Sequence, residues 1–309
     1  MPATTAPRRY ADPSRHAEEA PQAASIIIPN LHSPHLGVVL DALRSQSVRP
    51  LEVIVVGQDR YRLAHEDSMV RIVATPEPVS PALARNTGIA YARGDICVFL
   101  DSDCVPGHDW LERVLERHWN GDTVVGGSIA LLQQRYWERC DNIACLGAFL
   151  ETAPPGERPY LLSGNMSIRT ELIRRIGGFD PRLHTGEDVD LTFRLRAMGI
   201  RLYFEPGAAA CHYTTRHDAR SVWAHMYAWG CDWPAVADRH RRLIGLSAWD
   251  RLVRAVPPLA AAAIPALALR DAFGYYARQP ELLRRHWPTI PGVIWARTGW
   301  YAGVMRGRR

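Results

Sequence analysis

Lysine is absent from this 309-residue chain, so every basic side chain other than histidine is an arginine. That fits an Ala- and Arg-rich coding bias and carries little functional information. Cysteine is sparse: six residues, at 97, 104, 140, 145, 211 and 231, show no paired zinc-type spacing. They read as scattered small hydrophobes in a reducing compartment, which argues against a disulfide framework. No stretch of 18 or more apolar residues exists. The nearest, Ala255 to Leu269, lies between Arg254 and Arg270 and contains Pro257, Pro258 and Pro265, so no membrane-spanning helix is expected. The first two dozen residues hold no apolar run that could serve as a signal peptide, and residues 1–23 read as a disordered tail. No internal repeat is present.

What is there suits a globular protein of one large domain, or one domain plus an appendage: 47% hydrophobic and 22% charged residues. The net charge of +5 is unevenly spread. From Arg239 onward thirteen Arg face only Asp250, Asp271 and Glu281. A basic surface of that kind suits nucleic acid, anionic lipid or an anionic substrate. These arginines are spread through apolar helices with no recognition module, so nucleic acid is not expected.

Strand and helix patterns alternate. Ser25–Pro29, Leu51–Val56, Val70–Ala74 and Ile96–Leu100 are compact apolar runs that read as buried strands, with Pro29 ending the first. Leu36, Val39, Leu40 and Leu43 fall at helical spacing, and residues 81–93 and 108–118 read as further helices. Thr123–Ile129 continues the strands. The alternation predicts a mostly parallel α/β sheet.

The run at 96–100 ends in Asp101 and Asp103. Ligands in open α/β sheets bind beyond the carboxyl ends of strands, and two hard oxygen ligands so placed suit Mg²⁺ or Mn²⁺ with a substrate diphosphate. A strand running into an Asp-rich helix cap is the blander alternative. Further on, Leu191, Leu195 and Met198 form the apolar stripe of a helix closed by Gly199, and Asp188 extends that stripe to the helix start. An inward carboxylate held by free helix N–H groups can serve as a base, although an ordinary cap acid would look the same. Arg201–Phe204 and Ala208–His212 read as two short strands, the second ending in His212, which by itself reads as a packed core histidine.

In this order and spacing, SIIIP at 25–29, LEVIVV at 51–56, ARNTGIAYARGDICVFLDSD at 84–103, SGNMSIR at 163–169 and IGGFDPRLHTGEDVDLTFRLRAMG at 176–199 resemble the inverting glycosyltransferases of family 2, over residues 24–215. The resemblance implies a GT-A fold and transfer of a sugar from a nucleoside-diphosphate donor with Mg²⁺ or Mn²⁺. It implies that Asp103 and His212 ligate the metal, that Pro29, Arg85, Asn86 and Asp101 lie against the donor, and that Asp188 is the catalytic base. Many relatives place two Asp and a Gly after the second strand to contact the nucleobase. Here the sequence is Gly57-Gln58-Asp59, so Asp59 takes that role after a shift and the nucleobase stays open. The Gln-x-x-Arg-Trp motif of processive synthases is missing, which predicts transfer of one sugar.

Residues 216–309 read as a helical appendage rich in Trp, Arg and Ala. Ile290, Val293, Ile294, Trp300, Tyr301 and Val304 share a face beside a basic end, suited either to lying on anionic membrane or to packing on its own domain. The expected acceptor is a glycan, a lipid-linked or a small molecule, in cell-envelope or exopolysaccharide synthesis at the cytoplasmic face of the membrane. A polyprenyl-phosphate sugar synthase and a catalytically silent nucleotide-sugar-binding scaffold are the alternatives.

Overall fold

The computed structural model describes residues 23–131, 135–245, 248, 251 and 255–307. The expected tail therefore lies almost wholly outside the described residues. The first half alternates as expected: β1 (Ala24–Leu31), α1 (Leu36–Arg44), β2 (Glu52–Gln58), β3 (Val70–Ala74), α2 (Pro81–Tyr91) and β4 (Ile96–Leu100). These strands lie parallel in the order β3-β2-β1-β4. Their apolar residues are buried on both faces, because successive side chains point to opposite sides of a strand. Ile96, Val98 and Leu100 join the core under α1, while Cys97 and Phe99 join the core under α2.

Pro29 does not end β1, contrary to the sequence reading. Even-numbered residues of β1 bond to β2, as Leu51 N to Ala24 O and His32 N to Gln58 O show, so Pro29 turns its missing N–H toward β4. There the ladder has already ended, at Ile27 opposite Phe99, and no donor is needed.

The second half is mixed rather than parallel. It runs β5 (Cys104–Pro106), α3 (Trp110–Trp119), β6 (Val124–Ala130), α4 (Tyr136–Leu146), β7 (Gly156–Glu157), β8 (Asn165–Arg169), α5 (Thr170–Arg175), α6 (Glu187–Ala197) and β9 (Tyr203–His212). β8 enters antiparallel between β4 and β6, and β5 pairs antiparallel with β9. The two short strands expected at 201–212 are one, β9, whose register against β6 shifts between Gly127 and Ser128. Glu205-Pro206-Gly207 is thus absorbed as an irregularity within the strand. Leu191 and Leu195 of α6 are fully buried, but Met198 is 49% exposed, because the helix has turned away at its C-cap.

The C-terminal helices are α7 (Ala219–Arg239), the short α8 (Arg241–Ile244), α9 (Pro257–Arg278), α10 (Pro280–His286) and α11 (Ile290–Gly307). Val293, Tyr301 and Val304 of α11 are buried, so this part of the apolar face packs on the protein itself. Close approach of α11 to α7 depends on glycine: a Cβ at Gly299 would stand 2.6 Å from Trp223 O, and one at Gly303 2.1 Å from Tyr227 O. No described helix is long and apolar enough to cross a membrane.

Candidate active site

Beyond the carboxyl ends of β1 and β4 opens a cavity of about 1350 Å³, closed on its far side by α7, α9 and α11. It exceeds the roughly 300–1,000 Å³ usual for one small ligand. Pro29, Arg85, Asp101, Asp103, Asp188 and His212 all line it, gathered from distant parts of the chain.

At its centre lies Arg85, on α2, only 3% exposed. Its Nη1 donates to Glu187 Oε1 at 2.6 Å and its Nη2 to Asp101 Oδ1 at 2.7 Å. Burial works against its charge, but the carboxylates of Asp101, Glu187 and Asp188 outweigh burial and raise its pKa. Glu187 and Asp188 open α6, whose preceding residue, Gly186, is left-handed at φ 76°. The free N–H groups of a helix N-terminus favour negative charge there. Asp188 takes two backbone donors, one from that helix: Val189 N–H to Oδ1 at 2.7 Å, and Ser163 N–H, from the loop before β8, to Oδ2 at 3.0 Å. Burial nonetheless raises the Asp188 carboxyl. Glu187 is pushed up to about 7, by burial first and by the adjacent Asp188 charge second.

Asp103 and His212 form the other end. Cys104 at the start of β5 pairs with His212 at the end of β9, which brings the Asp103 Oδ2 to 3.6 Å from His212 Nε2. The other ring nitrogen, Nδ1, lies 2.6 Å from Asn142 Oδ1 on α4, and Asn142 Nδ2 donates to His212 O at 3.2 Å. This fixes a proton on Nδ1 and turns Nε2 toward Asp103. Burial opposes charge on both groups, yet their mutual attraction lowers Asp103 and raises His212. One carboxylate and one oriented imidazole, with Asp101 nearby on the same turn, fit a divalent cation of the Mg²⁺ or Mn²⁺ kind.

Two expected residues stand outside the cavity wall. The Asn86 amide is consumed by the backbone of Phe179, donating to its carbonyl and accepting from its N–H, both at 2.8 Å. It braces the loop that leads to α6. Asp59 turns into its own loop, where Oδ2 accepts from Ala64 N at 2.8 Å. Three supporting residues escaped sequence reading. Glu187 stands 102 residues from its partner Arg85, and Asn142 and Asp141 lie on a helix whose amphipathic pattern gives no hint of His212. Asp141 is itself buried, accepting from Thr214 Oγ1 at 3.0 Å and Arg216 Nη1 at 3.2 Å, and hydrogen-bonded to His225 Nδ1 at 2.8 Å.

Comparison with known proteins agrees with this geometry. The Glycosyl transferase family 2 model matches residues 25–175. The chain is 36% identical over 182 residues to a pre-mycofactocin glycosyltransferase of Mycobacterium tuberculosis, covering 54% of this chain and 38% of that protein. It is 28% identical over 202 residues to glycosyltransferase AglE of Haloferax volcanii, covering 61% and 66%. The chain therefore spans well under half of the mycobacterial relative. In fold it is similar to the mannosyltransferase PcManGT from Pyrobaculum calidifontis, solved with GDP-Man and Mn²⁺, with a TM-score of 0.58 at 21% identity over 95% of this chain and 92% of that one. GalNAc-T7, solved with UDP, GalNAc and Mn²⁺, follows with a TM-score of 0.53 at 14% identity over 76% and 52%. Sheet order, the residues gathered at its edge and these likenesses lead to one assignment: residues 25–175 form a glycosyltransferase family 2 domain.

Proposed function

We propose that this protein transfers a single sugar from a nucleoside-diphosphate sugar to an acceptor hydroxyl, with inversion at the anomeric carbon. The observation that carries the reading is Asp188, held by two backbone N–H groups and facing the same cavity as Asp103 and His212. Asp103 and His212 would hold the divalent cation, which when bound neutralises charge on the leaving diphosphate. Arg85 holds Asp101 and Glu187 in place, one on each terminal nitrogen. Asp188 takes the acceptor's proton as its oxygen attacks from the face opposite the diphosphate, so no covalent sugar–enzyme intermediate forms. That relatives in fold were solved with GDP-Man or UDP and with Mn²⁺ supports the donor class.

The test is nucleoside diphosphate release from a panel of UDP-, GDP- and dTDP-sugars by the purified protein with Mn²⁺. One donor should be turned over, with Asp103→Ala abolishing release and Asp188→Asn lowering it about 10²–10⁴-fold. Tight binding of a nucleotide sugar without turnover, indifferent to Asp188→Asn, would make the protein a scaffold instead.

Peripheral membrane contact we assign to α9 rather than α11. Leu259, Leu269 and Phe273 are 56%, 42% and 53% exposed on one face of α9, next to exposed Arg270 and Arg278. An apolar row edged by cations suits an anionic bilayer. Sedimentation with phosphatidylglycerol vesicles should be lost in Phe273→Glu; equal sedimentation of both proteins would remove the assignment.

A further inference from the structure

Past Asp188 the cavity changes character. Its walls become Phe149 and Tyr160 from the sheet side, Trp229 and Trp233 from α7, and Trp300 and Val304 from α11. Two arginines, Arg270 and Arg297, also stand in this wall. Arg297 of α11 has a side chain only 11% exposed, and its Nη2 donates to Asp271 Oδ2 at 2.7 Å. Its Nε is buried without a hydrogen-bond partner. Asp271 is already shared: it accepts from Arg270 Nη2 at 2.8 Å and from the Tyr301 hydroxyl at 2.6 Å. Two guanidiniums thus divide one carboxylate. Burial pushes the Tyr301 hydroxyl up to about 12, so it adds no negative charge. Arg297 and Asp271 balance in the wall and the surplus positive charge sits on the more exposed Arg270, so an anion entering the cavity meets two guanidiniums against one carboxylate. Asp188, Tyr160 and Arg297 all line this one cavity, so base and cation face one compartment.

Resting on the transferase reading above, we infer that the acceptor is an alcohol or phenol on an apolar body that ends in a carboxylate or phosphate. Its hydroxyl meets Asp188, its body lies among the aromatic side chains, and its anion pairs with Arg297. A small aryl acid and a lipid phosphate share this chemistry, and the test separates them. Quenching of tryptophan fluorescence in the full chain, without donor, is titrated with two pairs of probes: 3-(4-hydroxyphenyl)propionate against its amide, and 10-hydroxydecyl phosphate against 1,10-decanediol. In one pair the anion should bind at least about tenfold more tightly than its neutral partner, and that pair names the source. Arg297→Gln should abolish the preference, whereas Asp271→Asn, which frees the cations, should enlarge it by about 3–10-fold. Opposite signs are required, since a merely structural role would weaken binding in both. Equal binding of anion and neutral probe in both pairs, or parallel losses in the two variants, overturns the assignment. If Arg297→Gln fails to fold, Arg270→Gln, on the largely exposed partner, takes its place and must lower the preference about twofold or more. Because binding is read without turnover, an anion preference without nucleoside diphosphate release would count against the transferase reading and not against this site.

Discussion

The two buried guanidiniums of the cavity keep opposite company. Arg85 bonds Asp101 and Glu187 and has Asp188 close by, so its neighbourhood is net negative. Arg297 shares Asp271 with Arg270, so its neighbourhood is net positive. The first setting suits protons and a cation, the second an anion. A buried arginine therefore does not by itself mark a phosphate site; the count of carboxylates around it decides what the pocket will take.

The sharpest way to break this comparison is Arg85→Met. It leaves Asp101, Glu187 and Asp188 facing one another without their cation, and should cost roughly 3–5 kcal/mol in chemical denaturation. A cost below about 1 kcal/mol would mean that the carboxylates do not need Arg85. Next is Gly303→Val, whose side chain would strike the Tyr227 carbonyl and lift α11 from α7 at about 1–3 kcal/mol. Mn²⁺ and nucleotide binding should survive while the aryl and alkyl probes lose affinity. Equal damage to both would show that the halves are not separable.

Glu187→Gln tests the negative cluster by pH. The native Glu187 pKa of about 7 lies above its unfolded value, so the folded protein binds a proton that the unfolded chain releases. The wild type should then lose stability as pH rises from about 4.5 to 7, by up to ~3 kcal/mol, and the variant should be flatter over that window. The same change removes a negative neighbour from Asp188, so the rising limb of the activity profile should move to lower pH. A limb that stays put or moves up would deny the coupling. Smallest in effect is Arg270→Gln: its side chain is 66% exposed, so solvent screens it, and thermal stability should change by less than about 1 kcal/mol. A larger loss would show that Asp271 depends on Arg270 as much as on Arg297.

The positions of Asp101, Asp103 and Asp188 in the polar half were readable in the sequence because these residues sit at fixed points of local elements. Asp101 and Asp103 follow a five-residue buried strand, and Asp188 opens a helix, so pattern alone gave their direction. β4 and β3 fall where the apolar runs placed them. The insertion of β8 between β4 and β6 was not readable, since strand order depends on packing between distant segments and not on local periodicity. The apolar half stayed hidden for the same reason. Trp233, Tyr160 and Arg297 belong to three separate segments, and periodicity could say that α11 has an apolar face but not that α7 covers it. The exposed row lies on α9 instead, where Pro265 within the helix made the sequence look broken.

Helix α4 touches both walls. Asn142 on it orients His212, while Cys140 meets Gly292 of α11, where an added Cβ would come within 2.3 Å of its sulfur. Just past its end, Gly147 O accepts from Gln279 Nε2 at 2.6 Å, at the close of α9. For protein engineering this means that the C-terminal helices are not an interchangeable cap. A graft of residues 216–307 from a relative would have to bring its own version of Tyr136–Gly147, or the new lid would seat at the expense of the histidine beneath it.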